Sequence, residues 1–386
     1  MPRTLLLVSA TAADAERLRT NGPRRDFLEA AAATGGEILY QESNGSRRGW
    51  RAKLFGPHVR QAWRAAGRVE PGDIVFADGE HNGIPLLVSL ALRRRRPERV
   101  VMLGHLLTRR WKLAMLALAT RLGPGGVLAV HSVEQATAAR RWLGRRWRIQ
   151  LLPYQVDTDY WRRTEPAPAA DPPLVVAVGS ENRDYDTLVR AVDGLPLRVV
   201  IAAGSHWARS VAGTATLPTN VDYRSDPLPF AELRELYARA ALVVVPVHDV
   251  ANQSGVTVIL EAMSMGLPVV VTASRGQREC ITGPLVHGDG ALDPAATANR
   301  GPHLFGDHAS RDTTGFYVPP GDPAALRSAI EWLIAHPALA APYGEAGRRA
   351  ACRHFGIERY TAWFARELSV QTPGPAAPER FVAEPR

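Results

Sequence analysis

The stretch 252–272 constrains the fold of this chain more than any other. It reads Asn-Gln-Ser-Gly-Val-Thr-Val-Ile-Leu-Glu-Ala-Met-Ser-Met-Gly-Leu-Pro-Val-Val-Val-Thr. An apolar run at 241–247 precedes it and predicts a buried strand. A helix is predicted from about residue 256 to residue 265, and a second buried strand over 267–272. The pattern is therefore a strand–loop–helix–strand unit, from which doubly wound α/β sheets are built.

The start of this helix suits an anionic ligand. Ser254 is predicted to be the N-cap, and Gly255 leaves room for a close approach. The first backbone N–H groups, at Val256 and Thr257, would attract phosphate. Glu261 lies about two turns further on, on the same face as Ser254, where its carboxylate can accept hydrogen bonds from two vicinal hydroxyls. The arrangement fits a ribonucleoside diphosphate, and a glutamate that only faces solvent remains the alternative.

These residues carry a family resemblance. Glu261 followed by Ala-Met-Ser-Met-Gly-Leu-Pro-Val at 262–269 resembles the signature of family-4 (group 1) retaining glycosyltransferases of the GT-B fold. Glu261 is the second Glu of that signature, and the first Glu lies eight positions earlier, where this chain has Gln253. The resemblance implies that Glu261 holds the donor ribose and that Gln253 meets the transferred sugar. Gln keeps the hydrogen-bonding reach but not the charge, which bears on the donor sugar more than on the fold.

Length and composition limit the classes of protein. The 386 residues suffice for two domains, and 46% hydrophobic content supports real cores. Two cysteines do not indicate a disulfide framework, so a cytoplasmic protein is expected. No signal peptide or transmembrane run is recognised in the sequence.

The net charge of +9 comes almost entirely from arginine, since 45 of the 47 basic residues are Arg. Three clusters, at 93–96, 109–112 and 140–148, all lie in the first half. Solvated helix faces are the simplest interpretation, and an anionic membrane surface or an anionic acceptor are the functional ones. No nucleic-acid-binding motif accompanies the charge, so nucleic acid is not expected as a partner.

The first half follows the strand–helix pattern of a doubly wound domain. A strand over 3–10, a long loop over 11–21 and a helix that runs to about residue 33 are predicted at its start. By position in the resembled family, Gly22 is a candidate for the donor phosphates and Arg24 for the acceptor. There is no full Gly-x-Gly-x-x-Gly motif, so a nicotinamide dinucleotide is not indicated.

Two later strand ends in this half carry polar residues. Glu80, His81 and Asn82 follow a strand over 73–77, and ligands bind at the carboxyl ends of such strands, so these three are the predicted acceptor residues. A helix cap with solvent-facing side chains is the alternative. His105 follows a strand over 99–103 and resembles the family's histidine between donor sugar and acceptor.

The second half repeats the pattern after a Pro/Ala-rich linker at 165–173. Its first turn places Ser180 where the family usually has an Arg on the donor phosphates. Arg183 best matches the family's Lys, and its fork suits a diphosphate. A surface arginine in a polar turn is the alternative. His248, at the end of the strand before the opening stretch, is expected near the sugar.

Together the resemblance implies two Rossmann-like, doubly wound domains that face each other across a cleft. We predict an acceptor domain over 1–164 completed by a helix at about 355–370, a donor domain over 174–354, and a disordered tail at 371–386. The implied activity is retaining hexosyl transfer from a UDP- or GDP-linked sugar, with His105, Arg183 and Gln253 as catalytic residues. No cofactor and no metal are expected, because Arg183 and the helix start would stabilise the diphosphate.

Several alternatives stay open from sequence alone. They are a nucleotide-sugar epimerase of related shape, a non-catalytic nucleotide-sugar binder, and a basic membrane-surface or interaction protein. The acceptor is a small molecule or a lipid, and a lipid acceptor would place the protein peripherally at the inner face of the membrane. The oligomeric state is not predicted.

Overall fold

The structure is a computed structural model that describes residues 2–42, 56–163, 170–204, 217–293 and 312–369. The described residues form two compact units. Unit 1 takes in residues up to 20, those from 24 to 153 and those from 358 onward. Unit 2 takes in 21–23 and the residues from 154 to 357.

Unit 1 is built on a six-stranded parallel sheet of order β2-β1-β3-β4-β5-β6. Its strands are β1 (Thr4–Leu7), β2 (Glu37–Leu39), β3 (Ile74–Ala77), β4 (Arg99–Gly104), β5 (Gly126–Val130) and β6 (Trp147–Leu151). The helices between them are α1 (Ala12–Asn21), α2 (Asp26–Thr34), α3 (Pro57–Arg68), α4 (Glu80–Leu92), α5 (Arg110–Leu122) and α6 (Val133–Leu143). Apolar runs in the central strands bury both faces of the sheet, as parallel sheets require.

Unit 2 contains an eight-stranded sheet of order β13-β12-β14-β11-β10-β7-β8-β9, parallel except for the β12–β13 pair. Its strands are β7 (Leu174–Val178), β8 (Arg198–Ala202), β9 (Val221–Arg224), β10 (Leu242–Val245), β11 (Val269–Thr272), β12 (Leu285–Val286), β13 (Leu292–Asp293) and β14 (Phe316–Val318). Its helices are α7 (Tyr185–Val192), α8 (Phe230–Arg239), α9 (Val256–Ser264), α10 (Pro323–Ala335) and α11 (Pro337–His354). The parallel strands β9-β8-β7-β10-β11-β14 follow the Rossmann order 3-2-1-4-5-6.

The last described helix, α12 (Ile357–Leu368), packs in the core of unit 1. Phe364 is fully buried, and its ring meets Phe76 of β3 edge-to-face with centroids 5.0 Å apart. The Thr4 hydroxyl donates to the Leu368 carbonyl at 3.0 Å. Together with α1 and α2, α12 thus covers the sheet face opposite to α3–α6, whose own apolar side chains form a separate cluster.

Some predicted elements differ from the structure. The loop prediction over 11–21 is wrong, because Thr11 and Asp14 form a reciprocal cap: the Asp14 N–H donates to Thr11 Oγ1 at 3.1 Å and that hydroxyl donates to Asp14 Oδ2 at 2.7 Å. The chain over 12–21 is therefore helical. The tail prediction over 371–386 lies outside the described residues. In the part of the chain that the structure describes, no helix is long and apolar enough to cross a membrane.

Candidate functional site

The candidate donor residues of unit 2 lie where its strand order reverses. The chain adds β8 and β9 on one side of β7 and then crosses back to place β10 on the other side, so the loops after β7 and β10 meet at the topological switch point. Backbone contacts join the two loops: Arg183 forms an isolated bridge with Val247, and the Asp184 N–H donates to the Pro246 carbonyl at 3.0 Å. Ligands of doubly wound sheets bind at this place.

The guanidinium of Arg183 is buried at this point, with the residue only 6% exposed. Its Nε donates to the Val178 carbonyl at 3.0 Å and Nη1 to the Glu181 carbonyl at 2.8 Å. Within the described residues, no carboxylate forms an ion pair with it. Burial lowers the pKa of Arg183, and the nearby Tyr185 and Glu181 oppose that effect.

Two glycines lie beside this guanidinium, and Gly179 leaves the space that it fills. A Cβ on Gly179 would lie 2.5 Å from Arg183 Nη2, whereas one on Gly255 would lie in ordinary contact at 3.4 Å from both terminal nitrogens and only 2.5 Å from Val245 Cγ1. Both glycines have positive φ, 94° and 86°, a region that side chains disfavour. A buried positive charge whose partners are neutral oxygens, here two carbonyls and the Tyr185 phenol, is unfavourable unless an anion joins it. The cradle is therefore suited to a phosphate group.

The start of α9 differs in one respect from the sequence prediction. Gly255, in the left-handed conformation, is the N-cap, and no side chain caps the helix. The Ser254 hydroxyl instead accepts hydrogen bonds from the Asn182 amide at 2.8 Å and the Asn252 amide at 2.9 Å. The N-cap prediction for Ser254 is wrong because these amides hold its buried hydroxyl away from the helix N–H groups. The uncapped N–H groups of Val256 and the exposed Thr257 begin the helix beside Arg183.

Glu261 lies two turns into α9 and is half-buried. The hydroxyl of Tyr237, on α8, donates to its Oε2 at 3.1 Å. Tyr237 is fully buried, and burial together with the charge of Glu261 raises the pKa of this phenol. The contact fixes one carboxylate oxygen on the α8 side, so the position of Glu261 is set by a neighbour as well as by its helix.

Gln253 is paired with a carboxylate that the sequence did not single out. Its Nε2 donates to Glu279 Oε2 at 3.1 Å, and its buried Oε1 has no hydrogen-bond partner among the described residues. Glu279 is 7% exposed and lies in the loop after β11. The neutral Gln253, which occupies the family's first Glu position, thus lies directly beside the buried carboxylate of Glu279.

Two further predicted donor residues lie in these loops. The Ser180 Oγ is buried without a hydrogen-bond partner among the described residues. His248 is 62% exposed at its side chain, with Nδ1 3.8 Å from Asp184 Oδ2. Its backbone N–H donates to the Asn182 carbonyl at 3.0 Å, which ties the loop after β10 to the loop after β7 once more. Asn182 itself has a positive φ of 52°, a conformation that Asn tolerates better than most residues.

In unit 1 the strand order reverses between β1 and β3, and polar residues again follow these strands. Asp78 Oδ2 accepts from the Ser9 N–H and hydroxyl, both at 2.6 Å. Asp78 Oδ1 accepts from the Asn82 amide at 2.6 Å, and Asn82 Oδ1 lies 2.6 Å from His58 Nδ1. Asp78 thereby fixes the geometry of the loop at this end of the sheet.

His105 follows β4 beside this network. Its ring Nε2 lies 2.8 Å from the Asp78 carbonyl, and its backbone N–H donates to Glu80 Oε2 at 3.0 Å. Lys112 donates from Nζ to Glu80 Oε1 at 2.6 Å. Burial opposes the charge of Glu80, but the hydrogen bond and charge of Lys112 outweigh it, so the pKa of this carboxyl is lowered.

The acceptor prediction needs correction at two residues. Glu80 is 2% exposed and Asn82 is fully buried, and each is engaged as described above. Neither side chain faces solvent, so we interpret them as residues that position His105 and Asp78. His81 is 38% exposed at its side chain, with Nε2 3.7 Å from Asp78 Oδ1.

The two remaining predicted residues lie elsewhere. Arg24 forms an ion pair with Glu358 of α12 at 2.5 Å. Gly22 belongs to unit 2, apart from the sheet of unit 1.

Two titratable residues near His105 were not singled out from the sequence. The ring of His131 stacks on His105 with centroids 5.2 Å apart, and its Nδ1 lies 3.0 Å from the Leu152 carbonyl. Burial lowers the pKa of His131 to about 3, and the neighbouring His105 adds to the shift. Burial raises the pKa of Asp26, with Asp78 contributing. In the described residues no group of three or more His, Cys, Asp or Glu side chains is arranged to hold a metal ion.

The two sheets and the polar strand ends define the class of protein. A solved structure of sucrose-phosphate synthase from Thermosynechococcus elongatus is similar to this chain with a TM-score of 0.64 and 18% identity, over 94% of this chain and 97% of that chain. Anabaena HepE in complex with UDP-glucose is similar with a TM-score of 0.63 and 14% identity, over 95% and 98% of the two chains. The fold is GT-B, with two Rossmann-like α/β domains, as the resemblance implied.

The family follows from the sequence of unit 2. Residues 172–336 match the family described as "Glycosyl transferases group 1", which confirms the resemblance for this part of the chain. An alpha-maltose-1-phosphate synthase of Mycobacterium tuberculosis is 28% identical over 233 residues, which cover 54% of this chain and 53% of the relative. The chain therefore spans about half the length of this curated relative.

Proposed function

We propose that this protein is a glycosyltransferase that moves a hexose from a nucleoside diphosphate sugar to an acceptor, with retention at the anomeric carbon. The observation that carries the proposal is the buried guanidinium of Arg183. It lies between Gly179 and Gly255 beside the uncapped start of α9, with carbonyl oxygens and no carboxylate as described partners. A diphosphate supplies the missing negative charge.

The chemistry follows from this placement. When the bond between the anomeric carbon and the phosphate oxygen breaks, negative charge grows on the leaving diphosphate. Arg183 and the first N–H groups of α9 stabilise that charge, and such preorganised donors are among the largest contributions to catalysis. The acceptor oxygen forms the new bond, and its proton passes to the departing phosphate oxygen. The protein therefore needs leaving-group stabilisation more than a strong base, and we propose that no divalent metal is required.

The other donor contacts are assigned by the same reasoning. Glu261, held by Tyr237, accepts hydrogen bonds from the ribose hydroxyls, and Gln253 meets the sugar. We propose that His105 in unit 1 contacts the acceptor, because its ring lies at the strand end where doubly wound sheets bind ligands. Retention is proposed from the resemblance to family-4 enzymes. UDP-glucose is the first donor to test, because the Anabaena neighbour was solved with it.

The test starts with nucleotide binding. Calorimetry with UDP, GDP and ADP in the presence of EDTA should detect one nucleotide that binds, and Arg183→Ala should weaken that binding. Nucleotide release from the matching sugar should then require an acceptor, and proton NMR of the product should give the same anomeric configuration as the donor. A sugar nucleotide that is isomerised without an acceptor would identify an epimerase. Absence of binding by all three nucleotides would contradict the proposal.

A further inference from the structure

Helix α5 of unit 1 is apolar on two opposite faces, and only one of them is used by the core. Trp111, Met115, Leu118 and Leu122 are 56%, 49%, 59% and 60% exposed. At 3.6 residues per turn they fall within an arc of about 60° and form one continuous stripe, the α5 stripe. The opposite face, which includes Leu113, is buried.

The α5 stripe stands out from the rest of the described surface. Four of its eleven exposed large hydrophobic side chains lie on this single helix. Leu92, at the end of the neighbouring helix α4, is 70% exposed and adds to the apolar area on this side of unit 1. Single exposed apolar residues need no explanation, but an ordered row of them marks an interaction surface.

Positive charge surrounds the α5 stripe. Arg109, Arg110 and Arg121 are exposed at or beside the two ends of the helix, which has no acidic residue. The segment after α4 adds the exposed arginines at 94–96, and Glu98 is the single acid there. The carboxylate of Glu80 is buried and neutralised by Lys112, so it does not offset this charge.

We propose that the α5 stripe docks on an anionic lipid bilayer, with the helix lying parallel to the membrane in the headgroup region. A helix of 13 residues is about 20 Å long, and a large aromatic and leucine face flanked by arginine is typical of interfacial binding. The aliphatic parts of the arginine side chains lie along the apolar region, while their guanidinium groups contact the lipid phosphates. A second copy of this chain would bring two positive surfaces together, which charge repulsion opposes.

The first experiment is co-sedimentation with vesicles, which needs no assumption about catalysis. Vesicles of phosphatidylcholine with phosphatidylglycerol should bind the full chain, and vesicles of phosphatidylcholine alone should bind it much less. The double variant Leu118→Glu with Leu122→Glu should lower the partition coefficient for anionic vesicles at least tenfold. Leu339→Glu is the matched control, because Leu339 is 56% exposed on α11 of unit 2 and should leave binding unchanged.

Two further measurements separate the contributions. Arg95→Glu with Arg96→Glu should weaken binding at low salt and have less effect at high salt, because screening already removes the electrostatic part. Brominated lipids should quench the fluorescence of the wild type more than that of Trp111→Phe, since Trp111 would lie at acyl-chain depth. Unchanged thermal unfolding in each variant verifies that the fold is retained.

Several outcomes would overturn the proposal. They are wild-type protein that stays in the supernatant with anionic vesicles, equal binding by the Leu118/Leu122 double variant, or equal binding to neutral vesicles. Sedimentation velocity tests the other occupant, a second copy of this chain. If the wild type does not bind vesicles but forms a dimer, and the dimer dissociates in the double variant, a second copy covers the α5 stripe.

Discussion

The two strand-order reversals of this protein occupy equivalent places in their sheets but differ in chemistry. In unit 2 a buried guanidinium is left with carbonyl partners and a glycine-lined space. In unit 1 the charged groups neutralise or hold one another: Asp78 accepts from Ser9 and Asn82, and Glu80 pairs with Lys112. The comparison teaches that uncompensated charge specifies a ligand, whereas a self-satisfied network specifies mainly its own geometry.

The largest expected effect tests the uncompensated charge. Arg183→Ala should reduce turnover about 10²–10³-fold, as removal of one preorganised transition-state donor does. Arg183→Lys should recover part of the rate, because it keeps the charge and loses the fork. The control is Arg190→Ala, on the exposed side of α7. Turnover within a few-fold of wild type for Arg183→Ala would remove this residue from the donor site.

The second prediction concerns Glu261. Glu261→Ala should weaken nucleotide affinity about 10- to 150-fold, since hydrogen bonds to a charged group contribute about 1.5–3 kcal/mol. Tyr237→Phe should have a smaller effect, because it removes only the contact that orients the carboxylate. Calorimetry measures the nucleotide affinity of both variants. The control is Glu235→Ala, an exposed glutamate on α8, the helix that carries Tyr237. Equal affinity in folded Glu261→Ala protein would refute a ribose contact.

The third prediction tests the self-satisfied network in unit 1. Burial lowers the pKa of His131 to about 3, so it is neutral in the folded protein and takes up a proton more readily when unfolded. Its contribution to stability is complete above the ordinary pKa of about 6.5 and is lost as the pH falls towards the folded value. The loss from this residue between pH 6.5 and pH 5 should be about 2 kcal/mol.

Urea unfolding at several pH values measures this loss. His131→Asn should flatten the decline of the unfolding free energy with falling pH, while the exposed His248→Asn should not. The titratable groups near His131 are His105 and Glu80, and they remain in both variants. A decline that is equally steep without His131 would assign the acid sensitivity to other groups.

The smallest effect concerns Gln253 and Glu279. Gln253→Glu should lower the unfolding free energy by about 1–2 kcal/mol at neutral pH, because it places two carboxylates in contact where an amide now donates. Adding Glu279→Gln should restore most of the loss by exchanging the two groups. Chemical denaturation of the two single variants and the double variant gives the coupling free energy. Additive effects would mean that the two side chains do not depend on each other.

The sequence predicted the fold from local signals that the tertiary structure did not override. Continuous apolar runs such as 174–178 and 269–272 became central parallel strands, because only a buried strand hides both faces of such a run. The loop prediction over 11–21 is wrong because the cap between Thr11 and Asp14, whose spacing is visible in the sequence, starts a helix there. That error shows how a short polar segment can carry a helix start signal.

The candidate site was only partly predictable. Glu261 is predicted by its spacing from a helix start and Arg183 by the family resemblance, but the side chains that contact Glu261 and Gln253 lie far away in the chain. Tyr237 is 24 residues from Glu261, and Glu279 is 26 residues from Gln253. No local pattern predicts such contacts. The Asn182 amide that holds Ser254 likewise depends on how the loops after β7 and β10 meet, so the N-cap prediction is wrong partly for a tertiary reason.

The position of α12 has a consequence for synthesis on the ribosome. Tyr360, Trp363 and Phe364 belong to the core of unit 1, yet they emerge after all of unit 2. Nascent unit 1 must therefore wait with part of one face of its sheet, including Phe76, not yet covered by α12, while unit 2 can complete its own core first. Domains that fold during translation usually do so from the N-terminus. In this chain the order is reversed, and a stalled or truncated product would expose the uncovered sheet to chaperones.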